Sequence, residues 1–123
     1  MELTYGRYLK VEELLQLQQP LSEGPEHDEM LFIIIHQVYE LWFKQILHEL
    51  EKLKSSFQEG ERGKALHTLK RIRSILKVLV SQVDVLETMT PMEFLSFRER
   101  LQSASGFQSC QFRELEFTLG LKN

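Results

Sequence analysis

The stretch that decides the fold is His27-Asp28-Glu29-Met30-Leu31-Phe32-Ile33-Ile34-Ile35-His36-Gln37-Val38-Tyr39-Glu40-Leu41-Trp42-Phe43-Lys44-Gln45-Ile46-Leu47. From Phe32 onward, and continuing past the end of this stretch, apolar and aromatic side chains recur at alternating intervals of four and three residues. The series is Phe32, His36, Tyr39, Phe43, Ile46, Leu50, Leu53 and Phe57. This spacing keeps one face of an α-helix, so it predicts a single long helix over about residues 26–58. Further apolar residues flank the series in the first half, which is expected to be buried nearly all round, whereas charges such as Glu49 in the second half are expected to be solvated.

Shorter patterns on either side predict the remaining elements. A weak helix is expected over residues 8–18, stopped by Pro20, and another over 109–119. A second long helix over 62–87 is predicted from a repeat by three and four, whose members are Leu69, Ile72, Leu76, Leu79, Val83 and Leu86. Thr90-Pro91-Met92-Glu93 has the residue types of a helix start. The long helices, joined by residues 60–63, should pack antiparallel.

The predicted fold class is therefore all-α: an antiparallel long-helix hairpin plus shorter helices, resembling a helical bundle, in a single domain over residues 1–123. A chain of 123 residues with 42% hydrophobic and 27% charged residues has the composition of one soluble domain. The formal net charge of −3 gives no field that would attract nucleic acid or a membrane. With one cysteine, Cys110, and no secretory signal pattern, the expected location is cytoplasmic.

His36 is the first candidate for chemistry, because it stands on the apolar series where leucine or phenylalanine would be ordinary. A buried imidazole costs free energy unless its nitrogens find partners. One interpretation is a core histidine bonded to a backbone carbonyl or to Tyr39. The other is a histidine that lines a pocket and bonds a ligand. No zinc, dinucleotide, P-loop or hydrolase motif is present, so no metal site made of the chain's own side chains is predicted.

Arg98 is the second candidate. It lies four residues after Phe94, so both would share one face of a helix. A guanidinium beside an aromatic ring suits a planar ligand with a carboxylate, which the guanidinium binds through two parallel hydrogen bonds. The alternative is a surface arginine paired with Glu93 or Glu99.

Two further segments also have alternative interpretations. The serine-containing loop of residues 103–109 could hold an anion through hydroxyl and amide groups, or simply connect helices. Tyr5 and Tyr8 could pack on the chain's own core, or the segment that carries them could reach a neighbouring subunit.

Several motifs, taken together, resemble the tryptophan 2,3-dioxygenase family along essentially the whole chain. The block over residues 27–47 is the most specific of them. The other segments are Tyr5-Gly6-Arg7-Tyr8-Leu9, Leu86-Glu87-Thr88-Met89-Thr90-Pro91, Phe97-Arg98-Glu99 and Ser103-Ala104-Ser105-Gly106-Phe107-Gln108-Ser109. The resemblance implies an all-α, homotetrameric enzyme with haem b as cofactor. Such an enzyme inserts dioxygen across the C2–C3 bond of the L-tryptophan indole and yields N-formylkynurenine, in tryptophan catabolism by the kynurenine pathway.

The resemblance also implies roles for individual residues. His36 would lie on the distal side of the haem and bond the indole N–H, as the catalytic residue. Substrate would also contact the pocket residues Phe32, Ile33, Ile34, Ile35, Phe94 and Arg98, with Arg98 holding its carboxylate. Ser105 matches a position near the haem propionates. Tyr5, Tyr8 and Leu9 match a segment that closes over the active site of an adjacent subunit.

Family members are more than twice as long as this chain, which corresponds to their N-terminal half. The family's second half supplies the proximal histidine that ligates the haem iron, and no position here matches it. Two hypotheses follow from this difference in length. The chain is either the substrate-pocket half of a tryptophan dioxygenase, or a catalytically incomplete helical module for oligomerisation or ligand binding.

Overall fold

The computed structural model describes residues 2–21, 26–89 and 109–120. Within these ranges every regular element is a helix, in the order α1 (Tyr5–Leu9), α2 (Val11–Leu14), α3 (His27–Gln58), α4 (Arg62–Leu86) and α5 (Cys110–Thr118). The all-α prediction is confirmed, and α3, α4 and α5 agree with their predicted bounds to about one residue at each end. The predicted helix start at Thr90 lies outside the described residues.

The turn between α3 and α4 reverses the chain and produces the predicted antiparallel hairpin. Gly60 has a φ of 72°, in the left-handed region that glycine adopts without a steric penalty. The Glu61 N–H donates to the Ser56 carbonyl at 2.8 Å, and the Gly60 N–H donates to the Phe57 carbonyl at 3.1 Å. These two bonds make the Schellman motif that commonly ends helices. Gly63 lies inside α4 rather than in the turn.

The core lies where α3, α4 and α5 meet. Its buried side chains are Ile46, Leu50, Ile72, Ile75 and Leu115, and around them pack Trp42, Phe43, Leu47, Leu53 and Leu79. Gln111 fixes α5 to α3, because its Nε2 donates to the main-chain oxygen of Glu40 at 2.8 Å and to the Glu40 carboxylate at 3.1 Å. Packing on two sides holds the middle of α3, and the earlier turns that carry His36 extend from this fixed part.

The N-terminal segment differs from the single helix predicted over residues 8–18. The chain forms α1 and α2 instead, separated by Lys10, whose φ of 54° and ψ of 45° are left-handed. Thr4 caps α1, because its hydroxyl accepts the Arg7 N–H at 3.3 Å. Neither short helix has a buried residue. Tertiary packing gives most helices their stability. Because neither short helix buries a side chain, packing does not favour a single longer helix over residues 8–18.

The expectation that the first half of α3 is buried nearly all round is wrong. Ile35 is 6% exposed, but Ile34 is 42% and Leu41 is 55% exposed. Consecutive helical residues point about 100° apart, so the antiparallel α4 can cover only one side of α3. In the described ranges α5 covers a second side, near Phe43, and the side of Ile34 and Leu41 stays open.

The buried face of α4 is also rotated from the predicted repeat. In the predicted repeat Ile72 is buried as expected, but Leu69 and Leu76 are 44% and 38% exposed, and Ala65 and Thr68, which lie outside the repeat, are buried. Alanine and threonine are small, so they allow α3 to approach α4 closely, and the larger leucines are turned to the flank. No helix in the described ranges combines the length and the apolar composition needed to cross a membrane.

Candidate functional site

His36 lies on the side of α3 that Phe32 also occupies, because residues four apart share a helix face. The two rings are close, with centroids 4.2 Å apart and planes inclined by 33°. The Nδ1 atom of His36 is 2.8 Å from the main-chain oxygen of Phe32. Both side chains are half-buried. One turn of helix thus presents an aromatic ring and an imidazole side by side.

The hydrogen bond at Nδ1 decides which nitrogen of His36 is available to a ligand. A carbonyl oxygen can only accept, so Nδ1 must carry the proton that is donated to Phe32. In the neutral ring, Nε2 then has a free lone pair and acts as an acceptor. Among the described residues, none forms a hydrogen bond with Nε2. The core-histidine interpretation correctly predicts a backbone-carbonyl partner for one nitrogen, and the other nitrogen is left for a ligand.

Tyr39 forms the next wall of this face. Its ring meets that of His36 edge-on, with centroids 6.3 Å apart and planes at 78°. Its hydroxyl donates to the main-chain oxygen of Leu79 on α4 at 3.1 Å. Burial raises the pKa of the Tyr39 hydroxyl above its ordinary value of 10.0, so the group stays protonated and donating at neutral pH. Tyr39 thereby braces the His36 turn of α3 against α4.

The aromatic series continues from Tyr39 towards α5. Tyr39 and Phe43 are stacked, with centroids 6.1 Å apart and planes at 13°. Phe43 in turn meets Phe112 of α5 at 5.6 Å. Aromatic pairs at these separations contribute about 0.5–1.5 kcal/mol each beyond the area they bury. The site is therefore connected through ring contacts to the core, and these contacts hold this part of α3 in place.

The three consecutive isoleucines of the candidate pocket point in different directions. Ile33 is half-buried and lies three residues before His36, on a neighbouring part of the same surface. Ile34 is 42% exposed, and Ile35 is buried at 6% exposure. Successive side chains are turned by about 100°, so of these three Ile33 is nearest in direction to His36.

The other predicted site residues divide into two groups. Phe94, Arg98 and Ser105 lie outside the described residues. Tyr5 and Tyr8 belong to the N-terminal arm, which we define as residues 2–21, and they are 78% and 70% exposed. Leu9 is 46% exposed. The interpretation in which Tyr5 and Tyr8 pack on the chain's own core is therefore wrong, because both rings remain in solvent.

Glu49 was expected to be solvated, and this expectation is wrong, since it is only 4% exposed. Its carboxylate accepts from Gln45 Nε2 at 2.7 Å and from the Arg71 guanidinium at 3.4 Å. This bond to Arg71 joins α3 to α4. The sequence does contain a signal for the burial of Glu49, because this residue stands three residues after Ile46 and four before Leu53, in step with the apolar series.

Two other polar residues of α3, Glu29 and Gln37, were not singled out by the sequence. Glu29 is 1% exposed. Its carboxylate accepts the Leu21 N–H at 2.9 Å, and Gln37 bonds the N-terminal arm. Glu29 stands three residues before Phe32, so the apolar series continued backwards would have indicated its burial. Within the described ranges, no group of three or more His, Cys, Asp or Glu side chains is placed to hold a metal ion.

The similarity to known proteins extends over nearly all of residues 1–123. Residues 1–123 match the family model described as tryptophan 2,3-dioxygenase. A Herpetosiphon aurantiacus protein of that name is 63% identical over 120 residues, which are 98% of this chain and 46% of the relative. A protein of the same name from Anaeromyxobacter sp. (strain K) is 62% identical over 121 residues, covering 98% and 45%. One from Anopheles gambiae is 51% identical over 129 residues, covering 98% and 33%. The chain spans about half the length of these curated relatives, or less.

Proposed function

Because this chain belongs to the tryptophan 2,3-dioxygenase family, we propose that it contributes the substrate side of a haem pocket. The reaction proposed there is the oxidative cleavage of the L-tryptophan indole ring by dioxygen, which yields N-formylkynurenine. The family resemblance seen in the sequence is confirmed by the comparisons. The activity remains a proposal, because the matched part is less than half of the Herpetosiphon aurantiacus relative.

The observation that carries the proposal is the pairing of an aromatic ring with an outward acceptor on one turn of α3. Indole has a broad apolar face and a single polar group, an N–H that donates. Phe32 offers a ring to the apolar face, and Nε2 of His36 offers a lone pair to the N–H. The Phe32 carbonyl holds the imidazole in the tautomer that can accept. In this role His36 orients the indole and selects for a free N–H.

The remaining substrate contacts come from the family resemblance. Arg98 would bind the tryptophan carboxylate through its guanidinium, a geometry that favours two parallel hydrogen bonds. Phe94 would pack against the substrate, and Ile33, Ile34 and Ile35 would contribute to the pocket wall. These side chains would together fix an amino acid that is apolar at one end and charged at the other.

The described residues fit the side of a haem pocket that faces substrate. The face around Phe32 and His36 is aromatic and half-buried, as required next to a flat, apolar cofactor. Ser105 is the proposed contact to the haem propionates. Haem b, when bound, supplies the iron chemistry that activates dioxygen. The family's proximal iron ligand has no match among the residues of this chain, so we assign none.

The proposed assembly is a homotetramer in the cytoplasm, with residues 1–123 acting as one domain. Tyr5, Tyr8 and Leu9 would close over the pocket of an adjacent subunit. Their exposure of 78%, 70% and 46% supports this role, because these apolar groups are not used within the described part of the chain. No nucleic-acid or membrane partner is proposed.

A second candidate function is that of a helical module that associates without catalysing the reaction. The supporting observation is the apolar flank of α4, where Leu66 is 55%, Leu69 is 44% and Val80 is 70% exposed. At about 100° per residue these three side chains fall on one side of the helix, and an exposed apolar surface is a feature of association sites. The two candidates differ in whether haem and tryptophan bind.

A chimera tests the proposed function. This chain replaces the matched 120 residues of the Herpetosiphon aurantiacus relative, and N-formylkynurenine is measured with haem, L-tryptophan and dioxygen. We expect product from the chimera and a large loss of kcat/KM in its His36→Ala variant. A folded, haem-loaded chimera without product would contradict the proposal. A haem titration of the 123-residue chain alone, with and without L-tryptophan, then shows whether this chain forms a haem pocket by itself. Specific haem binding that tryptophan perturbs would contradict the non-catalytic module, whereas no specific binding fits both a half-enzyme and that module, and the chimera decides between them.

A further inference from the structure

The N-terminal arm is joined to the rest of the described chain mainly at its root, residues 17–21. Its two helices bury no residue, so apolar packing contributes little to holding it. The side-chain amide of Gln37 makes two hydrogen bonds to this root, one as acceptor and one as donor. Its Oε1 accepts from Gln18 Nε2 at 2.8 Å, and its Nε2 donates to the Leu17 carbonyl at 3.0 Å. Gln18 Nε2 also donates to the Leu14 carbonyl at 3.0 Å, which extends the connection to α2.

Glu29 makes a second contact with the same root, and we call the hydrogen bonds of Gln37 and Glu29 to residues 17–21 the fastening of the arm. Its carboxylate accepts the Leu21 N–H at 2.9 Å, and the side chain is 1% exposed. Glu29 lies in the first turn of α3, where the helix dipole favours a negative charge. Eight residues separate it from Gln37, which is about 12 Å along a helix. The arm root therefore crosses the same turns of α3 that carry Phe32 and His36.

We propose that Gln37, together with Glu29, is a positioning residue that sets the direction in which the N-terminal arm leaves α3. Gln37 directly follows His36 in the chain, so one rigid turn holds both the indole acceptor and the arm root. The consequence for substrate rests on the proposed function, in which the arm closes over the pocket of an adjacent subunit. The fastening itself depends only on the contacts given above.

A glutamine suits this role because a single side-chain amide both donates and accepts. Gln37→Met keeps the length of the side chain and removes both bonds. Gln37→Glu keeps the acceptor for Gln18 but loses the donor, and it turns a carboxylate towards the Leu17 carbonyl. Protonation of that carboxyl restores a donor, so acidification should restore the fastening in Gln37→Glu and not in Gln37→Met.

The fastening is tested by amide hydrogen exchange on the purified chain. A typical hydrogen bond shifts an equilibrium about fivefold, so amides of residues 11–21 in Gln37→Met should exchange about fivefold faster or more, while those of 46–54 do not change. Gln18→Met should act similarly, and the double variant should add little. Gln111→Met is the matched control, because its side chain docks α5 on the same helix and the arm should be unaffected. Unchanged arm exchange in Gln37→Met, or equal acceleration along all of α3, would overturn the proposal.

The positioning role is tested by tryptophan binding to the haem-loaded chimera. Gln37→Met should raise the half-saturating L-tryptophan concentration about fivefold with little change in kcat. In Gln37→Glu the half-saturating concentration should return towards that of the parent at acid pH. Faster arm exchange with unchanged tryptophan binding would refute the positioning role. Absence of tryptophan cleavage by the parent chimera would instead refute the proposed function, and the exchange comparison would still decide the fastening.

Discussion

Ile46→Ala should destabilise the protein more than any alanine substitution on the open side of α3. Ile46 is 0% exposed and packs where three helices meet. The substitution removes three buried carbons, a loss of about 2.4 kcal/mol at roughly 0.8 kcal/mol for each. Neighbours from three different helices cannot all close the space, and the remaining cavity raises the expected loss to about 2.5–4.5 kcal/mol. This is a large part of the roughly 5–15 kcal/mol by which domains are stable.

Urea unfolding measures the effect, followed by far-ultraviolet circular dichroism and by the fluorescence of Trp42. Trp42 is the single tryptophan and packs against the core, so its emission reports directly on this region. Leu41→Ala is the matched control on the same helix, because Leu41 is 55% exposed and should lose no more than about 1 kcal/mol. Equal losses for the two variants, or a loss below about 1 kcal/mol for Ile46→Ala, would refute the assignment of the core.

Three further outcomes are expected from the hydrogen bonds and charges. Tyr39→Phe removes the bond to Leu79, and urea unfolding should show a loss of about 1 kcal/mol, whereas no loss would contradict the brace between α3 and α4. Ser109 caps α5, because its hydroxyl accepts the Phe112 N–H at 3.0 Å. Ser109→Ala removes this cap, and the same assay should show a loss of about 0.5–2 kcal/mol, whereas an unchanged unfolding midpoint would contradict the cap. Lys64 lowers the pKa of Glu61 below its ordinary value of 4.5, so this pair stabilises the fold above that pH and the contribution disappears as the pH falls through the lowered pKa. Glu61→Gln should therefore make the acid limb of a stability–pH curve slightly shallower, the small effect expected of an exposed ion pair three residues apart, and an unaltered limb would contradict the assignment.

The long helices could be predicted because an alternation of three and four is a local signal. The series that includes Phe32, Ile46 and Leu53 fixes α3 without knowledge of the rest of the chain. Its burial could not be predicted in the same way, since burial depends on which other elements lie against each side. Leu41 is exposed because neither α4 nor α5 covers its side of α3. Lys10 illustrates a local failure, because a left-handed residue there divides a segment whose spacing alone favours one helix.

For the candidate site, the sequence predicted that Phe32 and His36 share a helix face and that a backbone carbonyl could bond the imidazole, but not which ring nitrogen takes that bond. His36 was identified because it replaces an apolar residue in the series. Which of its nitrogens accepts depends on the bond to the Phe32 carbonyl, and only the structure gives the 2.8 Å distance. Glu49 and Gln37 were missed for a related reason. The spacing of Glu49 from the apolar series indicates its burial, but its partner Arg71 is distant in sequence, as is the root of the arm that Gln37 bonds, so no local pattern reveals either bond.

The most direct test of the account compares the binding of L-tryptophan and 1-methyl-L-tryptophan to the haem-loaded chimera, read by visible absorption. The methylated ligand lacks the indole N–H, so it cannot donate to Nε2 of His36. We expect the parent protein to prefer L-tryptophan by about fivefold or more, as a hydrogen bond of ordinary strength requires. In His36→Ala that preference should fall to near unity. An equal preference in the parent and in His36→Ala would contradict the central claim that His36 receives the indole N–H.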